Sequence, residues 1–116
     1  MGQMKQIKPL LPSLRERKRY LVYEIMGKSV SAGEAARTIR HSVHEFIGVL
    51  GTAGAGLMFI NKYKNNKGIV RVNHRYVDHV RSALLFITAV GGVQASVRSI
   101  GASGILKKAE KKYLEA

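Results

Sequence analysis

Two groups of histidine and carboxylate side chains have spacings that acid–base or metal chemistry could use. In the first group, His74 and Asp78 are four residues apart, a separation at which helical side chains meet. A general acid–base pair also needs a cleft and a nucleophile, and the neighbouring sequence indicates neither. We therefore expect His74 to cap a helix or to contact a phosphate group rather than to catalyse a reaction.

The second group is His41, His44 and Glu45, within one stretch of predicted helix. Histidines three residues apart can share a helical face, but a zinc site needs a third ligand and the HExxH spacing is absent. The seven acidic residues show no pairing suited to general acid–base work or to a two-metal nuclease, which needs several converging carboxylates. The sequence thus predicts no catalytic residue, no metal site and no cofactor bound by the protein.

The glycine-rich segment GTAGAG, residues 51–56, resembles a phosphate-binding loop in composition only. Such loops follow a strand and open a helix, so that the amides of the helix meet the phosphate. Here the glycines follow a predicted helix and lead into a predicted strand. We interpret them as a helix stop followed by a flexible connector.

The composition favours one soluble domain that binds a polyanion. The chain has 116 residues and no cysteine, which excludes thiolate metal sites and disulfides and fits a cytoplasmic location. Its basic, proline-containing N-terminus is unlike a signal peptide, and its apolar runs are far shorter than the ~20 residues of a membrane span. Twenty basic residues against seven acidic ones give a net charge of +13, which favours nucleic acid as the partner.

The positive charge is concentrated in a few segments. Residues 1–19 and 62–81 each carry a net charge of +5 and residues 107–116 carry +2, whereas residues 20–61 are neutral. Basic side chains that neutralise phosphates make binding strongly dependent on salt. The residues predicted to contact nucleic acid are Arg15, Arg17, Lys18, Arg19, Lys67, Arg71, Asn73, His74, Arg75, Arg98, Lys107 and Lys108.

Hydrophobic periodicity predicts four strands and three helices. The strands are predicted at residues 19–26, 56–63, 68–73 and 93–100. The helices are predicted at residues 31–51, 75–88 and 105–114. Ser31 and Glu34 form a capping box at the start of the first helix, and Gly51 is placed to end it. The sequence NNKG predicts a tight turn, because Asn and Gly tolerate positive φ.

This order of elements, β-α-β-β-α-β with a terminal helix, is typical of ferredoxin-like and RNA-recognition-like α+β folds. We expect a four-stranded antiparallel sheet with helices on one face and an open second face. The predicted organisation is a basic irregular arm (residues 1–18), a ferredoxin-like domain (19–104) and a basic C-terminal helix (105–116). Strand alternation places on the open face Arg71, Asn73, Gln94, Ser96 and Arg98.

The predicted open face is poor in aromatic residues. Sheets that read single-stranded RNA present two or three aromatics on which bases stack, and this face offers only Tyr20. We therefore expect the protein to recognise the backbone and shape of a folded RNA rather than a single-stranded sequence.

Most of the chain resembles a known family, the archaeal and eukaryotic ribonuclease P protein component 2 family. Its most specific features are the leading L-P-x-L-R-x-x-K-R-Y, the strand K-G-I-V-R and the ending R-x-x-G-x-S-G at Gly104. The stretches that carry the resemblance are LPSLRERKRYLVYEI (11–25), KGIVRVNHRYVDHVRSALLFIT (67–88) and SVRSIGASGILKKAEKKYL (96–114).

The resemblance implies a subunit that is not itself an enzyme. In that family the RNA subunit uses magnesium to hydrolyse precursor tRNA and release its 5′ leader. This chain would bind the catalytic RNA and act with a TIM-barrel-like protein subunit, as a heterotetramer with two copies of each. The basic segments would then bind RNA, and apolar patches near Leu10 to Leu14 or at the edge of the second strand would bind protein.

Two other functions remain as alternatives. One is another ferredoxin-like RNA-binding protein, such as a ribosomal protein. The other is a small hydrolase of the acylphosphatase type, which has the same topology. That enzyme needs a glycine- and arginine-containing anion loop directly after the first strand, whereas GKSVSAGEAAR leads into a helix cap here.

Overall fold

The computed structural model describes residues 17–115. It is an α+β fold in which one antiparallel sheet packs against helices. The strands are β1 (Lys18–Gly27), β2 (Met58–Lys64), β3 (Lys67–Asn73), β4 (Ala89–Val90) and β5 (Val93–Ser103). The helices are α1 (Ala32–Ala55), α2 (Val77–Leu84) after a 3-10 turn (His74–Tyr76), and α3 (Leu106–Ala109) continued by a π-helical turn (Glu110–Leu114).

The sheet is built around β1, with strand order β2-β3-β1-β5-β4. It therefore has five strands within residues 17–115, where the sequence predicts four. The additional strand, β4, is only two residues long and forms a hairpin with the start of β5. The pairing of β1 with β5 contains a bulge beside Val22 and Tyr23, where the register shifts.

The first face of the sheet carries the main core. Alternate residues Leu21, Tyr23 and Ile25 of β1 are at most 3% exposed, as their period-2 spacing predicts. Val70 and Val72 of β3 join them and are completely buried, which confirms the predicted inward positions. Helices α1 and α2 cover this face with residues that recur at helical spacing, among them Ile39, Val43, Val80 and Leu84.

The first helix begins as predicted and ends later than predicted. Ser31 is its N-cap, and the Ser31 side chain accepts a hydrogen bond from the Glu34 amide at 3.2 Å. The helix continues past Gly51 to Gly56, which adopts the left-handed conformation of a C-cap. The prediction that GTAGAG is a flexible connector is therefore wrong. The glycine that interrupts the helix is Gly48, whose φ of 76° introduces a kink.

The hairpin between β2 and β3 turns at Asn65 and Asn66, which both have positive φ. The predicted turn is confirmed, and it also holds the next connection in place. The Asn66 side chain donates to the carbonyls of Ile25 and Lys28 and accepts from the Val30 amide. Tyr63 adds a hydrogen bond from its hydroxyl to the Val30 carbonyl at 2.9 Å. The segment that links β1 to α1 is thus fixed by the hairpin.

The C-terminal helix covers much of the second face, which the sequence predicts to be open. Ala109 and Leu114 are buried there against Val22 and Ile69, both of which are completely buried. Tyr113 lies against Gly101, where a side chain at position 101 would collide with its ring. The amphipathic character of residues 105–114 is confirmed, but the open face is reduced to its two ends. Within the described residues, no helix is long and apolar enough to cross a membrane.

Candidate nucleic-acid interface

Antiparallel pairing brings several of the predicted basic residues to one end of the sheet. Because β1 runs opposite to both β3 and β5, its first residues meet the last residues of those strands; Lys18 faces Asn73, and Tyr20 faces Ser103. The amide of His74 donates to the Arg17 carbonyl at 2.8 Å and holds the 3-10 turn against the start of β1. We call this region the basic end, which comprises Arg17, Lys18, Arg19, His74, Arg75 and Arg81.

Most side chains of the basic end are available to a ligand. Arg17, Lys18, His74 and Arg75 are exposed. Arg19 and Arg81 are half-buried and line a groove between β1, α2 and the end of β5. Arg81 is not among the residues predicted individually to contact nucleic acid. The i, i+4, i+7 spacing of His74, Asp78 and Arg81 is the sequence signal that places them on one helical face.

Asn73 has a structural position that differs from the prediction. It is only 5% exposed, and its side chain donates to the Gly54 carbonyl of α1 at 2.5 Å. Its side-chain oxygen, Oδ1, accepts a hydrogen bond from the Lys18 ammonium. Asn73 thus links the start of β1 and the end of β3 to the end of α1, and its expected place on an open face is wrong.

A second set of predicted residues lies about 13 Å farther along the sheet, four residues from Tyr20. There Glu24 of β1 faces Lys67 on one side and Arg98 on the other. The Arg98 guanidinium donates two hydrogen bonds to Oε1 of Glu24, at 3.0 and 2.7 Å. This pair offsets the charge of Arg98, which is exposed as predicted. Arg71 lies nearer to the basic end, opposite Tyr20, and is half-buried.

The remaining predicted contacts are on the terminal segments. Lys107 and Lys108 are exposed on α3, beside the covered part of the second face. On the same helical segment, Glu110 lies 4.0 Å from Lys62 of β2. Arg15 lies outside the described residues.

In each of the two histidine-containing groups, the carboxylate lies close to a basic side chain on the surface. His41 Nε2 lies 3.6 Å from Glu45 on α1, with both side chains largely exposed. Asp78 lies 3.5 Å from Arg81 Nη1. Residues 17–115 contain no cluster of three or more His, Asp or Glu side chains that could hold a metal ion.

The loop after β1 does not have the character of an anion-binding loop. An acylphosphatase-type site would use backbone amides of this loop to bind its anion. The Val30 amide is already bonded to the Asn66 side chain at 3.0 Å. The Lys28 carbonyl accepts from the same side chain at 2.8 Å, so the hairpin holds this loop through its backbone groups.

A separate apolar surface lies beyond the far end of α2, about 12 Å along that helix from its start. Phe46 of α1 and Phe86 contact each other, with ring centroids 5.3 Å apart. Leu50 of α1 and Leu85, which directly follows α2, are even more exposed, at 87% and 76%. We call the exposed apolar side chains of these two segments the apolar surface, which comprises Phe46, Val49, Leu50, Leu85 and Phe86.

Comparison with known proteins identifies relatives along nearly the whole chain. Residues 19–114 match the model of the Rpp14/Pop5 family. Ribonuclease P protein component 2 of Pyrococcus abyssi is 38% identical over 112 residues, which cover 94% of each chain. The protein of the same name from Thermococcus gammatolerans is 36% identical and covers 92% of this chain and 91% of its own. The protein of that name from Methanosarcina acetivorans is 34% identical over 94% of this chain and 83% of its own.

The fold also has a counterpart among solved structures. A chain in the cryo-electron microscopy structure of yeast ribonuclease MRP superposes with a TM-score of 0.64. The match covers 87% of this chain and 94% of that chain, at 14% sequence identity. At this identity the likeness concerns the fold alone.

Proposed function

The chain belongs to the Rpp14/Pop5 family, and on this premise we propose that it is a protein subunit of ribonuclease P that supports removal of the 5′ leader from precursor tRNA. The observation that carries the proposal is the identity of 34–38% to archaeal proteins named ribonuclease P protein component 2, over more than nine-tenths of this chain. The basic end supplies a surface of the charge that an RNA partner requires.

The catalytic step is assigned to the RNA subunit with magnesium, and this protein acts by binding the RNA. The placement of its carboxylates supports that division of roles. Glu24, Asp78 and Glu110 each lie beside a lysine or arginine. Carboxylates paired in this way balance positive charge on the surface, whereas a two-metal site needs carboxylates that converge on the ions.

The RNA is bound mainly through its phosphates. The basic end draws on three separate parts of the chain, namely the start of β1, the 3-10 turn and α2. Antiparallel pairing and the bond from His74 to Arg17 hold these parts together, so the backbone positions that carry the cations are fixed relative to one another. Cations carried at fixed backbone positions suit a folded RNA, in which phosphates crowd at defined positions. Lys67, Arg71, Arg98 and the lysines of α3 extend this surface as secondary contacts.

A protein subunit with a TIM-barrel-like fold is proposed to bind the apolar surface, in a heterotetramer with two copies of each chain. Aromatic and leucine side chains that are exposed together are typical of protein interfaces. At the edge of β2, where the sequence predicts an apolar patch, Met58 is exposed beside the polar Asn61, Lys62 and Lys64. We assign the partner to the apolar surface because it exposes more apolar side chains. The patch expected at Leu10 to Leu14 lies outside the described residues.

Two finer points belong to the same proposal. The order of the four long strands, β2-β3-β1-β5, supports the ferredoxin-like description, with β4 as an addition at the edge. The protein is assigned to the cytoplasm, where a chain without cysteine is suited to a reducing environment.

The decisive experiment is a reconstitution at limiting magnesium. The protein is mixed with its ribonuclease P RNA, the TIM-barrel-like subunit and precursor tRNA, and release of the 5′ leader is followed over time. Omission of this protein should slow the cleavage, and cleavage that is unchanged without it would reject the proposal. Tight binding to ribosomal RNA with none to ribonuclease P RNA would favour a ribosomal role. Hydrolysis of an acyl phosphate by the protein alone would favour the hydrolase.

A further inference from the structure

We propose that the groove at the basic end is a binding site for one backbone phosphate of the RNA, formed by Arg19, Arg81 and the segment Ser103–Gly104. The inference rests on the proposed RNA-binding function and adds a specific site to it. The groove is lined by three cationic or titratable basic side chains from separate elements, which are Arg19, His74 and Arg81. The segment Ser103–Gly104, at the end of β5, closes it on another side.

The first observation is the close contact between Arg19 and Gly104. The Arg19 Nη1 atom lies 2.6 Å from the position that a Cβ atom at residue 104 would occupy. A side chain there would therefore displace the guanidinium. Gly104 has an ordinary negative or extended φ, because it is not among the glycines of positive φ. The glycine is thus explained by the space that Arg19 occupies and not by backbone strain.

The second observation is that Arg81 has unused hydrogen-bonding capacity. Its Nε atom is buried and has no hydrogen-bond partner within residues 17–115. Its Nη1 atom contacts Asp78 only at the long distance of 3.5 Å, and the Asp78 side chain is 92% exposed. The Arg81 side chain is 42% exposed, so an anion in the groove can bond to the accessible part of its guanidinium, whose contact with Asp78 is weak.

The third observation concerns a neutral donor. The Ser103 hydroxyl oxygen accepts a hydrogen bond from the Ile105 amide at 3.1 Å. Its own proton is then directed elsewhere and can be donated to an anion. Two arginines and a serine that line the same groove can provide the hydrogen bonds that phosphate oxygens accept, and those from the guanidinium groups are charge-assisted.

An RNA phosphate fits this groove better than an isolated anion does, because the cations continue beyond it. Arg17, Lys18 and Arg75 are exposed on the same end of the sheet and are placed to meet the phosphates on either side. The exposed carboxylate of Asp78 opposes any anion in the groove. A variant without this carboxylate should therefore bind the RNA more tightly.

The test compares matched variants in the binding of full-length protein to ribonuclease P RNA over a range of salt concentrations. Arg81→Gln should weaken binding about tenfold and reduce the slope of log K against log salt by about 0.7–0.9, the loss of one phosphate contact. Arg37→Gln, at an exposed arginine of α1, is the control for the loss of one charge.

A glycine pair provides a second comparison. Gly104→Ala should weaken binding because it moves the Arg19 guanidinium, which is the end of a flexible side chain, so the fold should be kept. Gly33→Ala is its control, because the nearest heavy atom to the added methyl would be 3.7 Å away, and binding should not change. Asp78→Asn should strengthen binding severalfold.

The outcomes separate the groove from the wider function. If wild-type protein binds the RNA and both Arg81→Gln and Gly104→Ala bind as tightly as their controls, the groove proposal is rejected and RNA binding stands. If wild-type protein does not bind the RNA, both fail. Inorganic phosphate should shift the nuclear magnetic resonance signals of Gly104 and His74, and the RNA should displace it. If phosphate causes these shifts but Arg81→Gln leaves RNA affinity unchanged, the groove binds a free anion. If Arg81→Gln weakens only the binding of the TIM-barrel-like subunit, the groove binds a carboxylate of that subunit. Either result would overturn the proposal.

Discussion

The basic end and the apolar surface lie at opposite ends of α2 and have opposite chemistry. The basic end gathers five lysines or arginines and His74, with Asp78 as the accompanying acid. The apolar surface exposes two phenylalanines in contact, together with Val49, Leu50 and Leu85. Both regions are supported by one buried core, whose residues on α1, α2 and the first sheet face are in mutual contact. One buried core thus supports two surfaces of opposite chemistry.

The difference indicates how each region should respond to solution conditions. Binding through phosphates releases counterions and weakens steeply as salt rises. Burial of apolar surface depends little on moderate salt and is driven by removal of that surface from water. A change at one region should therefore leave binding at the other unaltered, provided that the shared core stays folded.

The largest effect is expected from removing charge at the basic end. The triple variant Arg17→Ala, Lys18→Gln, Arg75→Ala removes three exposed cations, and the glutamine amide keeps a donor for Asn73 at residue 18. We expect the affinity for ribonuclease P RNA to fall about a hundredfold, and the slope of log K against log salt to fall by about 2–3. Filter binding or fluorescence anisotropy over a salt series measures both quantities.

The matched control removes three exposed cations elsewhere, by Lys28→Ala, Arg37→Ala and Lys64→Ala. The control has the same net charge as the basic-end variant, so it separates position from total charge. Equal losses in the two triple variants would mean that the protein attracts RNA through its overall charge, and the basic end would lose its special status.

The next largest effect is expected at the apolar surface. Leu50→Asp and Phe86→Ser alter side chains that are 87% and 68% exposed, so the fold should be retained. Each should weaken association with the TIM-barrel-like subunit by ~2 kcal/mol, the scale of a central interface residue, with little dependence on salt. Titration calorimetry at low and high salt measures this, and RNA affinity should be unchanged.

Ile105→Ser is the control for the apolar surface, because Ile105 is 53% exposed and does not belong to it. Sedimentation of the protein alone tests a second occupant. If Leu50→Asp or Phe86→Ser changes self-association but not binding to the TIM-barrel-like subunit, the apolar surface binds a second copy of this chain.

The sequence predicts the features that depend on local residue types. The N-cap at Ser31, the asparagine turn and the inward positions of Leu21 and Val70 are all present in the structure. A cap, a two-residue turn and strand alternation are determined by a few neighbouring residues, so no distant contact has to be known.

The features that sequence reasoning missed depend on contacts between distant segments. Gly51 has the residue type of a helix stop, but α1 continues to Ala55. The Gly54 carbonyl then accepts a hydrogen bond from the Asn73 side chain, which is buried and not available to a ligand. The C-terminal helix shows an apolar side in its sequence, although nothing local says that Val22 and Ile69 are its partners. The groove at Gly104 is likewise visible only when β1, α2 and β5 are assembled.

A smaller effect concerns the core that both regions share. Burial, and secondarily the nearby Tyr63, raise the pKa of the Tyr23 phenol well above the ordinary value of 10.0. The folded state therefore favours the neutral phenol. Its contribution to stability is complete below pH 10 and is lost as pH rises above 10 towards the raised pKa, at up to about 1.4 kcal/mol per pH unit. Tyr23→Phe should reduce this alkaline loss in denaturant unfolding measured between pH 9 and pH 11. If Tyr23→Phe leaves the pH dependence of unfolding unaltered, Tyr23 does not contribute to the alkaline loss of stability. If alkaline treatment abolishes only one of the two binding activities, the two regions do not share a core.

The smallest effect is expected at Arg98, which lies away from the basic end. Its guanidinium is bonded twice to Glu24, so its charge is already offset when RNA approaches. Arg98→Ala should therefore lower the salt slope by less than the 0.7–0.9 of an unpaired phosphate contact. Glu24→Gln should raise RNA affinity about twofold, the scale of an exposed ion pair. Both values come from the same salt series as the triple variants. A full loss of one phosphate contact in Arg98→Ala would mean that Arg98 leaves Glu24 to bind RNA. The interface would then extend along the sheet from the basic end to Arg98.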